Sequence, residues 1–246
     1  MRFLHRTSAL LFPVSLLATA VQAADPPPNG WSGDASAGYI RTAGDTSTTT
    51  GNIKAELDYT NAPWRNELKG SAANGHTGDV TTAEQYDLSD KLKYNFDEND
   101  YLFGLASFQD DRFSGIAKNY TEAVGYGRRL LNTQQQMLEA EIGGGVSEQQ
   151  SVGQTNYLTQ PTLTLGGKYV HTFSPTSQFT QTVQADIGSK NTFVNPVSQL
   201  KVTIVGSLYT SISYDLRYNT TVPEGTHHTD SITSISLGYG FGGAKP

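Results

Sequence analysis

The sequence predicts an all-β fold, namely a transmembrane antiparallel β-barrel of about 12 strands with periplasmic termini. The side chains near the C-terminal end alternate, with Ile235, Leu237, Tyr239 and Phe241 on one face and Ser234, Ser236, Gly238 and Gly240 on the other, within the stretch 231–241. This stretch has the length of one crossing by a tilted strand. After the N-terminal region no apolar run reaches about 18 residues, so a spanning helix is excluded, whereas half-apolar strands remain compatible.

The same alternation recurs along the chain, most clearly at residues 49–60. The predicted strands lie at about 31–41, 49–60, from 64 onward, 83–96, 101–110, 120–131, 137–147, 157–173, 178–188, around 200–204, 208–218 and 231–241. Residues 101–110 are apolar on both faces, and Arg128 and Arg129 interrupt the next strand, so the register of both stays open. Asp90 breaks the apolar face of its strand, and the pattern does not explain it.

The predicted connections alternate in length. Those after strands 2, 4, 6, 8 and 10 have about two to five residues, and those after strands 3, 5, 7, 9 and 11 have about seven to twelve. Short periplasmic turns and longer outer loops are typical of transmembrane barrels. We expect aromatic girdles at the strand ends, formed by Tyr59, Trp64, Phe96, Tyr101, Phe173, Phe179, Tyr218 and Phe241. A soluble all-β protein, which also alternates but buries its apolar face, is the competing interpretation.

The N-terminus has the features of a cleaved secretory signal peptide. Arg2 and Arg6 precede an apolar run from Ala9 to Ala20, and small residues favour cleavage after Ala23. We therefore divide the chain into a signal peptide (1–23), a proline-rich leader (24–30), a barrel (31–241) and a short tail (242–246). The tail is unusual, because outer-membrane barrels usually end on an aromatic residue.

Composition limits the possible functions. The chain has no cysteine, which excludes disulfides, thiolate nucleophiles and cysteine metal sites. Its formal net charge of −6, with no basic stripe, argues against nucleic acid as a partner. No phosphate-binding glycine loop is present, and we predict no cofactor and no metal site.

Several short motifs resemble the bacterial YdiY-like "salt-induced outer membrane protein" family, a domain of unknown function. The resemblance covers roughly residues 31–241. Its most specific blocks are Asp110-Asp111-Arg112-Phe113-Ser114-Gly115 and Val222-Pro223-Glu224-Gly225-Thr226 with Thr229-Asp230. Gly38-Tyr39, Tyr101-Leu102-Phe103-Gly104 and Gly125-Tyr126-Gly127 are less specific. The resemblance implies an outer-membrane barrel and does not imply a reaction.

The face opposite the apolar one carries charges of both signs, and we expect it to line the lumen, because charge on the lipid face is costly. Candidate lumen or binding residues are Lys54, Glu56, Asp58, Arg65, Glu67, Lys91, Lys93, Asp110, Asp111, Arg112, Glu139, Glu141, Asp215 and Arg217. Lys69, Asp87, Lys168, Asp186 and Lys201 share the same parity. These charges either cross-link the lumen of a structural barrel or line a narrow channel for small solutes or ions.

An outer-membrane hydrolase is the alternative function. It would use Asp110 and Asp111 with His227, His228 and Asp230 at the barrel mouth. The sequence places these residues on strand pairs that lie far apart around the wall, and the usual flanking motif is missing. We therefore predict no enzyme and no catalytic residue.

The expected partners follow from the predicted location in the bacterial outer membrane. Lipid and lipopolysaccharide would surround the apolar face. The barrel-assembly machinery would recognise the closing strand through Leu237, Tyr239 and Phe241. Small solutes or ions would be the contents of the lumen.

Overall fold

A computed structural model describes residues 29–42, 48–112 and 115–242. Twelve antiparallel strands follow one another around a closed barrel. They are β1 Gly30–Thr42, β2 Thr48–Asn61, β3 Trp64–Thr77, β4 Val80–Asn95, β5 Asp100–Asp111, β6 Ile116–Asn132, β7 Gln136–Ser151, β8 Leu158–Ser174, β9 Ser177–Gly188, β10 Thr192–Val205, β11 Leu208–Asn219 and β12 Thr229–Phe241. In this part of the chain no helix is long and apolar enough to cross a membrane. The predicted signal peptide, residues 24–28 of the leader, the turn at 44–46 and residues 243–246 of the tail lie outside the described residues.

The first and last strands close the barrel, which confirms the predicted fold class. Ala35 lies opposite Tyr239, and Ala37 lies opposite Leu237. Closure gives every strand two neighbours, so the sheet has no free edge. Because the number of strands is even, the start of β1 and the end of β12 lie on the same side of the barrel as the turns that follow the even-numbered strands. This is the periplasmic side of the predicted topology.

The connections agree with the prediction on the periplasmic side and disagree on the other. The periplasmic turns have two to four residues, at 62–63, 96–99, 133–135, 175–176 and 206–207. The outer connections at 78–79, 112–115, 152–157 and 189–191 are shorter than predicted, and only 220–228 has nine residues. The prediction was wrong because the ladders continue with polar side chains beyond the apolar belt, as β7 does up to Ser151.

Strand β10 also differs from its prediction, which treated residues 189–196 as a loop. The strand begins at Thr192, and Pro196 lies within it opposite Val183. Proline cannot donate to a ladder. On the other side, the pairing with β11 skips Asn195 and Pro196. The Asn195 side chain instead donates hydrogen bonds to Asp215 and to the carbonyl of Leu216.

The apolar parity faces outward, so the soluble alternative is wrong. Leucines and isoleucines between the strand ends are exposed, as at Ile53 and Leu88. Aromatic pairs bound this belt. On the periplasmic side they are Trp31–Tyr59, Trp64–Tyr94 and His171–Phe173, and on the outer side Phe108–Tyr120. An exposed apolar belt between two aromatic girdles is the surface of a transmembrane barrel.

The inner wall of β5 carries the apolar cluster Tyr101, Phe103 and Leu105. This settles the register that the sequence left open, and it corrects the prediction that Tyr101 belongs to a girdle. Glycines on β6 make room for the rings: a Cβ at Gly127 would lie 2.3 Å from the Tyr101 ring. The rings of Tyr101 and Phe103 therefore lie flat against the wall, because the neighbouring glycine positions on β6 have no side chain.

Candidate functional site in the barrel lumen

The lumen contains a polar cavity of about 670 Å³. At the periplasmic end it reaches the β6–β7 turn, including Gln134 and Gln135, which are exposed. Toward the outer side it ends at Phe193 and Arg217. The cavity therefore extends along most of the lumen and stops below the outer mouth.

Lys93 is the centre of an ion-pair network in the periplasmic half of the lumen. Its side chain is 3% exposed, and its Nζ lies 3.0 Å from Glu67, 3.3 Å from Glu139 and 3.9 Å from Glu141. The ammonium group also lies 4.8 Å from the centroid of the Tyr101 ring. One cation thus connects acids of β3 and β7.

Further pairs extend this network along the wall. Lys91 lies 2.5 Å from Glu141, and Arg129 lies 3.1 Å from Glu139. The Tyr101 hydroxyl donates to Glu141 at 2.9 Å. On β2 and β3 the remaining pairs are Arg65 with Asp58 and Glu67, and Lys69 with Glu56. Because these charges pair around the wall and not across it, the centre of the lumen stays open.

Three further contacts lie along the wall between β10 and β2. Lys201 of β10 lies 2.8 Å from Asp34 of β1, and the Tyr209 hydroxyl donates to the same carboxylate at 2.6 Å. Lys54 of β2 donates to Ser213 of β11 at 3.1 Å. These contacts also follow the wall.

Arg217 in the outer half is arranged differently, because it crosses the lumen. Its guanidinium donates to both carboxylate oxygens of Asp87, at 2.8 and 2.9 Å. Asp215 lies 3.7 Å away, and Asp111 lies 4.0 Å away. The two partners belong to β11 and β4, which are nearly opposite in a twelve-stranded barrel.

A second cavity of about 20 Å³ lies on the other side of Arg217. Arg217, Phe193, Asn119 and Gln109 line both cavities. The larger and the smaller cavity are therefore adjacent, and these four residues form the partition between them, with Arg217 as its charged component.

Buried amides hold the β9–β10 connection at the outer end of the barrel. The side chain of Asn191 donates to Gln149 at 3.0 Å and to Asn219 at 2.8 Å. Gln160 accepts hydrogen bonds from the backbone amides of Lys190 and Asn191. This short connection is thereby fixed to the inner wall.

Two other outer connections meet each other over the mouth. A Cβ at Gly115, in the β5–β6 connection, would lie 2.8 Å from Thr226 Oγ1 and 3.0 Å from Val222 Cβ, in the β11–β12 connection. The strand pairs lie far apart around the wall, as expected from the sequence, but their connections approach each other. The two most specific motif blocks of the sequence are thus in contact.

The residues of the hydrolase alternative do not form a catalytic pair in the described part of the chain. Asp111 and Asp230 line the small cavity, but His228 Nδ1 is hydrogen-bonded to the Asn219 carbonyl at 2.8 Å. Asp110 has the outward parity, opposite Tyr86 and Lys118. Nor does any group of three histidines or acids in the described residues have the arrangement of a metal site.

Most candidate lumen residues are placed as the parity predicts. The large cavity is lined by Lys54, Glu56, Asp58, Arg65, Glu67, Lys91, Lys93, Glu139, Glu141, Asp215 and Arg217. Asp110 and Arg112 are the exceptions. Arg112 is 65% exposed and pairs with Glu84 at the rim, because it follows the last residue of β5.

The sequence interpretation missed lumen residues that carry no charge or stand outside the longest alternating runs. They are Asp34, Tyr101, Asn119, Asn191 and Tyr209. For the tyrosines a signal was available: Tyr101 faces Gly127, and Tyr209 faces Gly238, each glycine lying on an adjacent strand. A large aromatic residue beside a glycine indicates a ring that lies along the wall.

A closed barrel with an apolar outer belt and a charged lumen defines a transmembrane β-barrel protein. The chain belongs to the family described as "Protein of unknown function, DUF481", whose model matches residues 35–241. Over 208 residues it is 30% identical to "Uncharacterized protein YdiY" of Escherichia coli (strain K12), covering 84% of this chain and 82% of that protein. The resemblance seen in the sequence is thereby confirmed.

Two solved outer-membrane proteins align with most of the chain. A COG4313 outer membrane channel from Pseudomonas putida F1 aligns with a TM-score of 0.49 at 11% identity, covering 94% of this chain and 100% of that one. The NanC porin aligns with a TM-score of 0.49 at 14% identity, covering 85% of this chain and 99% of that one.

Proposed function

We propose that the protein is a narrow outer-membrane channel for small solutes or ions, constricted at its outer end by Arg217. The observation that carries the proposal is the cavity of about 670 Å³, which runs from the periplasmic turns to the Arg217–Asp87 pair. Polar and charged side chains line it, as expected for a water-filled path.

Conductance in planar lipid bilayers tests this function with the full-length folded protein. We expect small, brief openings from the wild type. Arg217→Ser removes the side chain that crosses the lumen, so its single-channel conductance should rise at least about two-fold, because the narrowest segment dominates the resistance. The matched control is Arg128→Ser, since Arg128 lies on the outer face, with its side chain 56% exposed and paired to Asp100.

The outcome distinguishes the two roles that the sequence allows. If wild type and Arg217→Ser are both folded and silent, the barrel is structural and the channel proposal fails. Equal conductance of Arg217→Ser and the wild type would show that the constriction lies elsewhere.

The outer-membrane location and the lipid partners belong to the same proposal. Leu237, Tyr239 and Phe241 are exposed on β12, as contact with lipid, lipopolysaccharide and the assembly machinery requires. We expect extraction by detergent only and a heat-modifiable shift in gel mobility. Recovery of the protein from the soluble periplasmic fraction would contradict this location.

A further inference from the structure

The charges around Arg217 are unbalanced. Asp87, Asp111 and Asp215 lie within 4.0 Å of its guanidinium. Asp230 is its register partner on β12 and lines the small cavity beside it. The carboxylates of Asp87, Asp215 and Asp230 therefore surround one cationic side chain at the partition between the two cavities. We refer to these three aspartates as the outer carboxylate ring.

The periplasmic network does not show this excess. There Lys93 bridges Glu67 and Glu139, and Lys91 neutralises Glu141. Lys69 pairs with Glu56, and Arg65 with Asp58. Each acid of this network has a cationic partner, so an ion that passes it meets a nearly neutral wall.

A second observation at the partition also indicates that a cation passes or binds there. Asn119 is 6% exposed and lines both cavities, and its Oδ1 has no hydrogen-bond partner. Its Nδ2 donates to Gln109 at 3.3 Å, so the oxygen is the free end of the amide. A buried acceptor without a donor is costly unless a water or a cation contacts it. Hard cations prefer such carboxylate and amide oxygens.

We infer that the lumen conducts small monovalent cations in preference to anions, and that the outer carboxylate ring determines this selectivity. The inference rests on the proposed channel function and specifies its permeant class. Rings of acidic side chains select cations in channels because they raise the local cation concentration and repel anions. Since Arg217 offsets only one of the three carboxylates of Asp87, Asp215 and Asp230, the ring keeps an excess negative charge at the narrowest point.

The test is the reversal potential of the full-length protein in a planar bilayer with a ten-fold KCl gradient. We expect a K⁺/Cl⁻ permeability ratio above about 3 for the wild type, as for a pore with a net acidic constriction. Asp230→Asn and Asp215→Asn should each lower the ratio, and the double variant should bring it close to one. Asp100→Asn removes the same charge from the outer face, where Asp100 pairs with Arg128, and should leave the ratio unchanged.

Each outcome addresses either the selectivity or the channel itself. Openings with a ratio at or below one, or a ratio that both substitutions leave unchanged, overturn the cation inference while the channel function stands. Absence of openings in wild type and in Arg217→Ser overturns the channel function and the inference together. The heat-modifiable gel shift verifies folding, and if the double variant does not fold, the two single variants decide.

Discussion

In the periplasmic half of the lumen Lys93 contacts three glutamates, whereas in the outer half Arg217 is shared among aspartates. The residue types are similar, but the direction of the contacts differs. Lys93 reaches along the wall from β4 to β7, over the rings and glycines of β5 and β6. Arg217 reaches from β11 across to β4. The first arrangement leaves the lumen open, and the second narrows it.

The comparison shows that the presence of charged side chains along the lumen does not by itself decide whether the lumen is open. What matters is whether opposite charges are close neighbours around the wall. The strands between Lys93 and Glu139 present Tyr101, Phe103 and glycines, so the pair closes over a flat surface, and Arg129 of β6 adds a second cation beside Glu139. Arg217 has acids on its own side, yet its bidentate partner is Asp87 on the opposite wall.

Lys93→Met should cause the largest loss of stability. It leaves Glu67, Glu139 and Glu141 without their shared cation in a buried position, and breaking a buried ion pair from one side costs about 3–5 kcal/mol. Equilibrium unfolding in urea with lipid vesicles measures the change. The control is Lys69→Met, whose side chain and that of Glu56 are about one third exposed, so the loss should stay below about 1 kcal/mol. Equal losses of stability from the two substitutions would show that Lys93 is not the centre of the periplasmic network.

Gly127→Ala tests the flat wall on which the periplasmic network rests. The new Cβ would lie 2.3 Å from the Tyr101 ring, which is 0% exposed and cannot move aside. We expect a loss of about 1–3 kcal/mol, as for other overpacked sites. Gly104→Ala is the matched control, because a Cβ at Gly104 meets nothing within 4 Å. If both variants are as stable as wild type, the Tyr101 ring does not need the glycine.

Much of the fold and part of the site follow from the sequence. Parity identified the strands and the lumen charges, because one face of every strand must meet lipid and the other water. The ends of β3 and β10 could not be predicted, since ladders continue with polar residues where no apolar signal remains. The partners of Lys93 and Arg217 could not be predicted either. They depend on register and tilt around the closed barrel, which place residues 46 and 130 positions apart in contact.

Asp90→Leu tests the cost of a charge on the lipid face, in contrast to the charges that line the lumen. Asp90 has the outward parity of Leu88 and Leu92 and is exposed, and it accepts a hydrogen bond from the Asn66 side-chain amide at 2.6 Å. An acid on the lipid face costs free energy, so the substitution should stabilise the barrel by roughly 1 kcal/mol. Leu88→Asp is the reverse control and should destabilise it. A loss of stability in Asp90→Leu would instead indicate that Asp90 binds a partner within the membrane.

Substitutions of Asp97, in the β4–β5 turn, should have the smallest effect on stability. They test how the periplasmic network is positioned, because this turn holds Lys93 and Tyr101 on adjacent strands. The carboxylate accepts hydrogen bonds from the backbone amides of Asn99 and Asp100, each at 2.8 Å, and these hold the pKa of Asp97 below its ordinary value. A lowered pKa adds stability above the unfolded-state pKa, and this stability is lost as the pH falls through the folded-state pKa.

The matching experiment compares wild type with Asp97→Asn and Asp97→Ala across the acid range. Asparagine keeps an oxygen that accepts both hydrogen bonds but cannot titrate. Asp97→Asn should therefore lose less stability than wild type as the pH falls below about 4, where free aspartate titrates. Asp97→Ala should be less stable than either at neutral pH, because the turn amides lose their acceptor. If all three proteins unfold identically at every pH, the register of β4 and β5 is set by the Lys93 network and not by the turn.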